Sequence, residues 1–334
     1  MLQPEADKAP VVVISGQGRS GSNRLLDMVD LSPLVVCRSE PDEIARGDFG
    51  SVGGKLFPGA FDGSMRRDLL RAVPRARARR SARDRLNRLD KAFFRPAARP
   101  LLWPLSKTRI RALAGRARLL DPAGEWTLPP ICLRADRLGR AALVLKLNAC
   151  PVWAAALHED AGARVVRNIR DPFEYLNSWY NRFVLARSRP EDFRRHFGDV
   201  PRILAYFGRD DADRLADLSH ESLVEIEIWR WRYTNEFLHD TLDGSPRGLV
   251  VTYAGTQADP VGTAERLYAF AGLPIDDRIR DAVARMPNRL FAGGHETRLD
   301  EGPCRRLIDR VLDGSPLADL PAAPAPARTA RTAA

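Results

Sequence analysis

The stretch "VVVISGQGRSGSNRLLDMV", residues 11–29, constrains the fold more than any other part of the chain. Its four opening β-branched residues make a short run suited to a buried strand. The run breaks into Gly16, Gly18 and Gly21, then resumes as a helical pattern through Leu25, Leu26, Met28 and Val29. A strand, a glycine turn and a helix N-terminus in that order build an anion site. The first helical N–H groups have no partner, and the helix dipole favours negative charge there. Four similar apolar runs follow, Leu34–Cys37, Leu143–Leu147, Arg164–Ile169 and Leu249–Thr252, against Val11–Ser15 for the first. Continuous rather than alternating apolar runs predict strands covered on both faces, hence a parallel sheet. Helical patterns between them predict an α/β architecture with helices on both faces. Two of these helices carry a capping Asp followed by proline, at Asp171-Pro172 and Asp259-Pro260. Gly272 suits the C′ position of the second, with Pro274 beyond it.

The wide interval between the second and third runs predicts an inserted, mostly helical region over 44–140, on a core of 10–43 and 141–312. Residues 66–118 hold 18 Lys+Arg against 3 Asp+Glu, so the net charge of +10 belongs to this segment and the remainder is mildly acidic. Such a segment reads as a solvated arginine face, with peripheral contact to an anionic membrane or polysaccharide as the sharper alternative. The ends, 1–9 and 315–334, are polar or Ala/Pro-rich and read as disordered. No run approaches the ~20 apolar residues of a membrane span, and the polar, acidic start offers no signal-peptide core. Cys37, Cys132, Cys150 and Cys304 form no C-x-x-C pair, and the five histidines show no metal spacing. A cytoplasmic setting without metal or nucleic acid is expected.

The glycine loop supports more than one chemistry. Gly16, Gly18 and Gly21 spell the dinucleotide G-x-G-x-x-G, with Glu40 at the distance of a ribose ligand. Gly16 and Gly21 also keep the spacing of a G-x-x-x-x-G-K-[ST] loop, but Ser22 and Asn23 replace its lysine and hydroxyl, which argues against Mg-dependent phosphoryl transfer. Arg19, Ser20, Ser22, Asn23 and Arg24 make the loop polar and cationic, suited to a highly charged terminal group. An NAD(P)-dependent oxidoreductase with a Rossmann loop is the alternative enzyme reading, and a non-enzymatic polyanion-binding protein the other.

"GQGRSGSNRLL" resembles the 5′-phosphosulfate loop of sulfotransferases, G-x-x-R-[ST]-G-[ST]-[ST]-x-L, with Asn23 in place of a hydroxyl residue and Arg24 inserted. "ARVVRNIRDPFEYLNSWYNRF" resembles the family's strand ending in Arg-Asp-Pro, followed by a helical serine. The chain is similar on these motifs to the sulfotransferases that use 3′-phosphoadenosine 5′-phosphosulfate (PAPS), in the bacterial carbohydrate- and tyrosylprotein-type branch. The resemblance covers roughly 10–43 and 141–275. It implies a three-layer P-loop-NTPase-like fold around a parallel sheet of about five strands. It also implies PAPS as donor, held at its 5′ end by Gly18, Arg19, Ser20, Gly21, Ser22 and Asn23, and at its 3′-phosphate by Arg170 and Ser178. Glu40 takes the position of the catalytic base, with Asp42 and Glu43 as close rivals. Lys146 takes that of a lysine facing the transferred group, although Asn148 stands where proline is usual. The late "VVTYAGTQADP" block lacks the usual Glu-Asp after its tyrosine, having Ala254-Gly255 instead. The implied acceptor is a hydroxyl, of a carbohydrate or lipid-linked glycan, and no metal is implied. His295, after a Gly-Gly pair, reads as part of a late loop over the nucleotide.

Overall fold

The computed structural model describes residues 9–45, 47–81, 84, 90–98, 100, 102, 124–184, 194–215, 219–287 and 299–318. Seven strands are present among them: β1 (Val11–Gly16), β2 (Val35–Ser39), β3 (Arg79–Ser81), β4 (Glu125–Thr127), β5 (Ala142–Asn148), β6 (Arg164–Ile169) and β7 (Gly248–Thr252). The five strands expected from the apolar runs form one parallel sheet in the order β2-β5-β1-β6-β7. Their ends differ from the apolar runs by a residue or two, because the last polar residues of β1, β2 and β5 still join the ladder. β3 and β4 pair antiparallel outside that sheet.

The strand order separates the readings of the glycine loop. A dinucleotide fold sets its second strand beside its first. Here β5 lies between β2 and β1, which puts Glu40 two strand spacings from the loop after β1. The chain leaves β1 toward one side and β6 lies on the other, so the crevice above β1 and β6 is the topological switch point, where open α/β sheets bind ligands.

Both faces of the sheet are covered, as continuous apolar runs require. Along β1, Val13 faces a core with Leu145, Leu147, Trp153 and Leu157. Val12 and Ile14 face another, with Leu25, Met28, Leu267 and Tyr268 from the helices Ser22–Val29 and Pro260–Ala271. A third cluster surrounds the long helix His220–Leu242. Phe49, Leu69, Phe93, Phe94 and Leu128, all from 44–140, are buried in the first of these clusters. Each buries enough apolar surface for about 2 kcal/mol, so these residues are part of the sheet's own core.

Several cations of the basic segment point inward. Arg77 donates to the carbonyls of Ala141 and Ala9. Lys91 donates to the carbonyls of Asp30 and Ser32 at 2.6 and 2.8 Å. Burial pushes the Arg80 guanidinium down to about 10. Part of the positive charge thus fastens this region to the sheet. Leu317 closes the third cluster and Ser315 is buried beside it. Residues 1–8 and 319–334 and His295 lie outside the described residues. Among the described residues no helix is long and apolar enough to cross a membrane.

The caps read from sequence are formed. Asp171 and Asp259 each accept from the backbone N–H three residues on, Glu174 and Gly262, at 2.8 Å. Gly272 takes a left-handed φ of 68° at the end of its helix.

Candidate active site

Three residues other than glycine have positive φ among the described residues, and each follows a strand at one edge of the sheet. They are Arg19 (φ 76°) after β1, Glu40 (φ 54°) after β2 and Ala149 (φ 47°) after β5. L-residues occupy this region at a cost of about 1 kcal/mol or more, and such strain clusters at functional sites.

The loop after β1 has two glycines it cannot exchange. A Cβ at Gly16 would sit 2.6 Å from the Asn168 carbonyl oxygen, and one at Gly21 (φ 93°) would sit 2.4 Å from Tyr253 Cδ2. Around Gly18 there is open space. The glycines the structure demands are therefore spaced G-x-x-x-x-G, and the dinucleotide spelling through Gly18 is incidental. Ser22 opens the following helix, Ser20 and Ser22 are buried, and Asn23 is exposed on the first turn. Asn168 Nδ2 on β6 donates to Ser20 O at 2.9 Å and to its Oγ at 3.2 Å. Gln17 Nε2 donates to Thr234 Oγ1 at 2.8 Å and to Arg230 O at 3.0 Å. The loop is thus fastened to β6 on one side and to the helix His220–Leu242 on the other.

The two motifs singled out from sequence interlock here. Arg19 Nε donates to Ser178 Oγ at 3.1 Å, and Arg170 Nη1 donates to Arg19 O at 3.0 Å. Arg170 Nε also donates to Glu174 at 3.2 Å, and its guanidinium lies 4.3 Å from the centroid of the Tyr253 ring, a cation–π distance. Arg19 opens to solvent on its outer side. Its packed inner side, with repulsion from Arg170 and Arg182, pushes its guanidinium below the ordinary value. A cation penalised in this way is relieved by an anion, so the donor set fits a phosphate-bearing ligand.

Lys146 and Glu40 form an ion pair across the ends of β5 and β2, with side chains 3% and 19% exposed. The Glu40 N–H donates to Lys146 O at 2.9 Å. Lys146 stands two residues inside the end of β5 rather than at its tip. Glu43 faces Lys55, with Nζ to Oε1 at 3.1 Å, and Asp42 is buried behind it, 3.4 Å from the same ammonium. Asn148 Oδ1, at the position where proline was expected, is buried without a hydrogen-bond partner among the described residues. Glu40, Lys146, the loop and Arg170 thus stand on four neighbouring strand ends, which spans about 14 Å at ~4.8 Å per strand.

Asp42 carries a stability prediction. Burial first, then repulsion from Glu43, raises its carboxyl from an ordinary 3.8 to about 6, against the opposing pull of Lys55 and a hydrogen bond from Cys150. The folded chain therefore holds this proton more tightly than the unfolded chain, and stability falls as pH rises from about 4 through about 6. Asp42→Asn is expected to remove that slope and to raise unfolding free energy at pH 7 by on the order of 2 kcal/mol. Urea unfolding of both chains at pH 4.5 and 7 measures it. An equal slope in both would show that other groups set it.

Gln17, Lys55, Asn168 and Tyr253 are not marked as site residues by the sequence, whereas Arg182 is marked only by its place four residues after Ser178, on the same helical face. Tyr253 had one usable signal, as the tyrosine of the late block, but its companion acids are missing. The others act through contacts with distant segments, and no local pattern announces these. Among the described residues no group of His, Cys, Asp or Glu converges as a metal site would require.

The sheet order and the cationic loop define an α/β protein with a cationic strand–loop–helix, suited to an anion, at its switch point. Three solved structures similar to it are sulfotransferases or sulfotransferase domains. The sulfotransferase STF9 from Mycobacterium avium is 16% identical, over 95% of this chain and 78% of that one, with a TM-score of 0.43. The sulfotransferase domain of the Synechococcus PCC 7002 olefin synthase is 14% identical over 93% and 90%, with a TM-score of 0.39. The sulfotransferase domain from the curacin biosynthetic pathway is 12% identical over 92% and 97%, with a TM-score of 0.41. No protein-family model matches the chain, and no curated protein matches it in sequence.

Proposed function

We propose that the chain is a sulfotransferase that moves the sulfuryl group of PAPS to a hydroxyl acceptor. The observation that carries this reading is the interlock of Arg19, Ser178 and Arg170, which joins two motifs about 150 residues apart into one cationic site. The helix N-terminus at Ser22 and the N–H groups of the loop suit the 5′ end of the donor. Arg170 and Ser178 suit a 3′-phosphate.

PAPS would supply a sulfuryl group bonded through oxygen to its 5′-phosphate. Glu40 is the proposed base. The acceptor oxygen bonds to sulfur as the sulfur–oxygen bond to the 5′-phosphate breaks, and the hydroxyl proton passes to Glu40. The leaving electron pair stays on the 5′-phosphate oxygen, facing the loop N–H groups and Arg19. Lys146 couples the two ends of the step. When Glu40 takes the proton its charge is lost, and the Lys146 ammonium is left to stabilise the departing oxygen.

The acceptor is read as a carbohydrate or lipid-linked glycan, with 44–140 as an acceptor or lid region beside the Glu40 end of the site. Contact with an anionic polymer or membrane would fall to the exposed arginines of the helix Gly63–Ala76, such as Arg71 and Arg75.

A thermal-shift panel of adenosine 3′,5′-bisphosphate, NAD, ATP and heparin tests the reading. The bisphosphate alone is expected to stabilise the chain, by about 2.7 kcal/mol at a hundred times its Kd. Stabilisation by NAD alone would select an oxidoreductase, and by heparin alone a polyanion-binding protein.

A further inference from the structure

The helix that carries Ser178 does not finish as an α-helix. Pro172–Trp179 is α-helical, and the next five residues, Tyr180–Val184, form a π turn. Such turns are rare and frequent at functional sites. In an α-helix the residue four positions beyond Ser178 lies about 40° round the axis from it. The wider π turn rotates it back across the stripe that Ser178 occupies. Arg182 is that residue. Its side chain is exposed. Among the described residues no carboxylate pairs with it, whereas Arg170 has Glu174. Arg182 is also close enough to Arg19 to act on it electrostatically, together with Arg170.

The ligand chemistry asks for such a group. A phosphate monoester carries a second negative charge above its second pKa of about 6. Ser178 offers that phosphate a neutral hydrogen bond and Arg170 one positive charge, part of which Glu174 already occupies. A dianion is matched by a second guanidinium. We propose that Arg182 is a third cation of the donor site, holding the terminal 3′-phosphate and selecting a 3′-phosphorylated nucleotide over one ending in a 3′-hydroxyl. The proposal rests on the sulfotransferase reading.

Isothermal titration of the full chain and of Arg182→Gln and Arg182→Lys tests it, with adenosine 3′,5′-bisphosphate and adenosine 5′-monophosphate as the probes. Arg182→Gln is expected to weaken the bisphosphate about tenfold, which is about 1.4 kcal/mol, and to leave the monophosphate nearly unchanged. Arg182→Lys should keep most of the affinity. Below pH 6 the gap between the parent chain and Arg182→Gln should close, because the phosphate becomes a monoanion. Equal loss for both nucleotides would show only a general positive potential and would overturn the proposal, as would no loss for either. Failure of the parent chain to bind the bisphosphate would remove the sulfotransferase reading and this proposal with it. Binding that ignores Arg182 would remove the proposal alone. The side chain is exposed, so unfolding midpoints of the variants should match the parent and exclude misfolding as the cause.

Discussion

Glu40→Gln is expected to lower sulfuryl transfer by about two to four orders of magnitude, the usual contribution of a positioned general base. Affinity for adenosine 3′,5′-bisphosphate should be nearly unchanged. Glutamine is isosteric, so the left-handed turn at Glu40 and its N–H bond to Lys146 O can persist. It also keeps an amide oxygen for the Lys146 ammonium, but it cannot take a proton at neutral pH. The proposed nucleotide-binding residues sit at the ends of β1 and β6, with β5 between them and Glu40, which is why binding and turnover should separate. Conversion of PAPS to the bisphosphate across a panel of hydroxyl acceptors reads the first quantity, and titration with the bisphosphate reads the second. Glu43→Gln is the control, since Glu43 faces Lys55 and is 39% exposed. If Glu43→Gln abolished turnover and Glu40→Gln did not, the base would be Glu43. If Glu40→Gln lost binding and turnover together, Glu40 would be a structural residue.

The sheet could be read from the sequence because burial on both faces leaves a local mark. Val11–Ile14 and Leu143–Leu145 are apolar without interruption, and only a strand covered on both sides uses such a run economically. Arg19, Arg170 and Ser178 were legible for a different reason, the resemblance of their two motifs to a known family, while the hydrogen bond between Arg19 and Ser178 was not. Arg19 sits within the glycine turn and Arg170 directly before the Asp-Pro cap, so the chain marks both places even though it cannot state the distance between them. Positive φ at Glu40 and Ala149 has no such mark, since neither residue type signals a left-handed turn. Tertiary contacts impose it. The same holds for Gln17, whose amide matters only because Thr234 and Arg230 come to it from 213 or more residues away. The region 44–140 was least legible. Its arginines suggested a solvated face, but whether a guanidinium points out or in depends on which carboxylates and carbonyls the fold delivers to it.

Arg38 shows how far that delivery decides stability, and Arg38→Met is expected to destabilise the chain by about 3–5 kcal/mol. In sequence it is a polar residue directly after the second apolar run. In the structure its side chain is 0% exposed on β2. Its Nε donates to Asp84 at 2.9 Å, Nη1 to the Ala76 carbonyl at 3.2 Å, and Nη2 to Glu125. The side chains of Asp84 and Glu125 are each 2% exposed. Asp84 also accepts from Ser39 N at 2.8 Å and Ser81 N at 2.7 Å, so the same carboxylate joins β2 to β3. Removing the guanidinium leaves two buried carboxylates without their cation, which costs far more than the ion pair itself is worth. Arg38→Lys should recover only part of the loss, because one ammonium cannot reach three acceptors held in a planar fork. Arg38→Met combined with Glu125→Gln should be more stable than Arg38→Met alone, since it removes one of the stranded charges. Urea unfolding of the three variants measures these differences. A loss below about 1 kcal/mol for Arg38→Met, the range of exposed pairs, would show that water reaches this cluster. Glu40 follows Arg38 by two residues, so the strand end that Arg38 fastens is the one that carries the proposed base. Turnover should therefore fall in Arg38→Met even where the chain is still folded, and the shortfall should track the stability across the series.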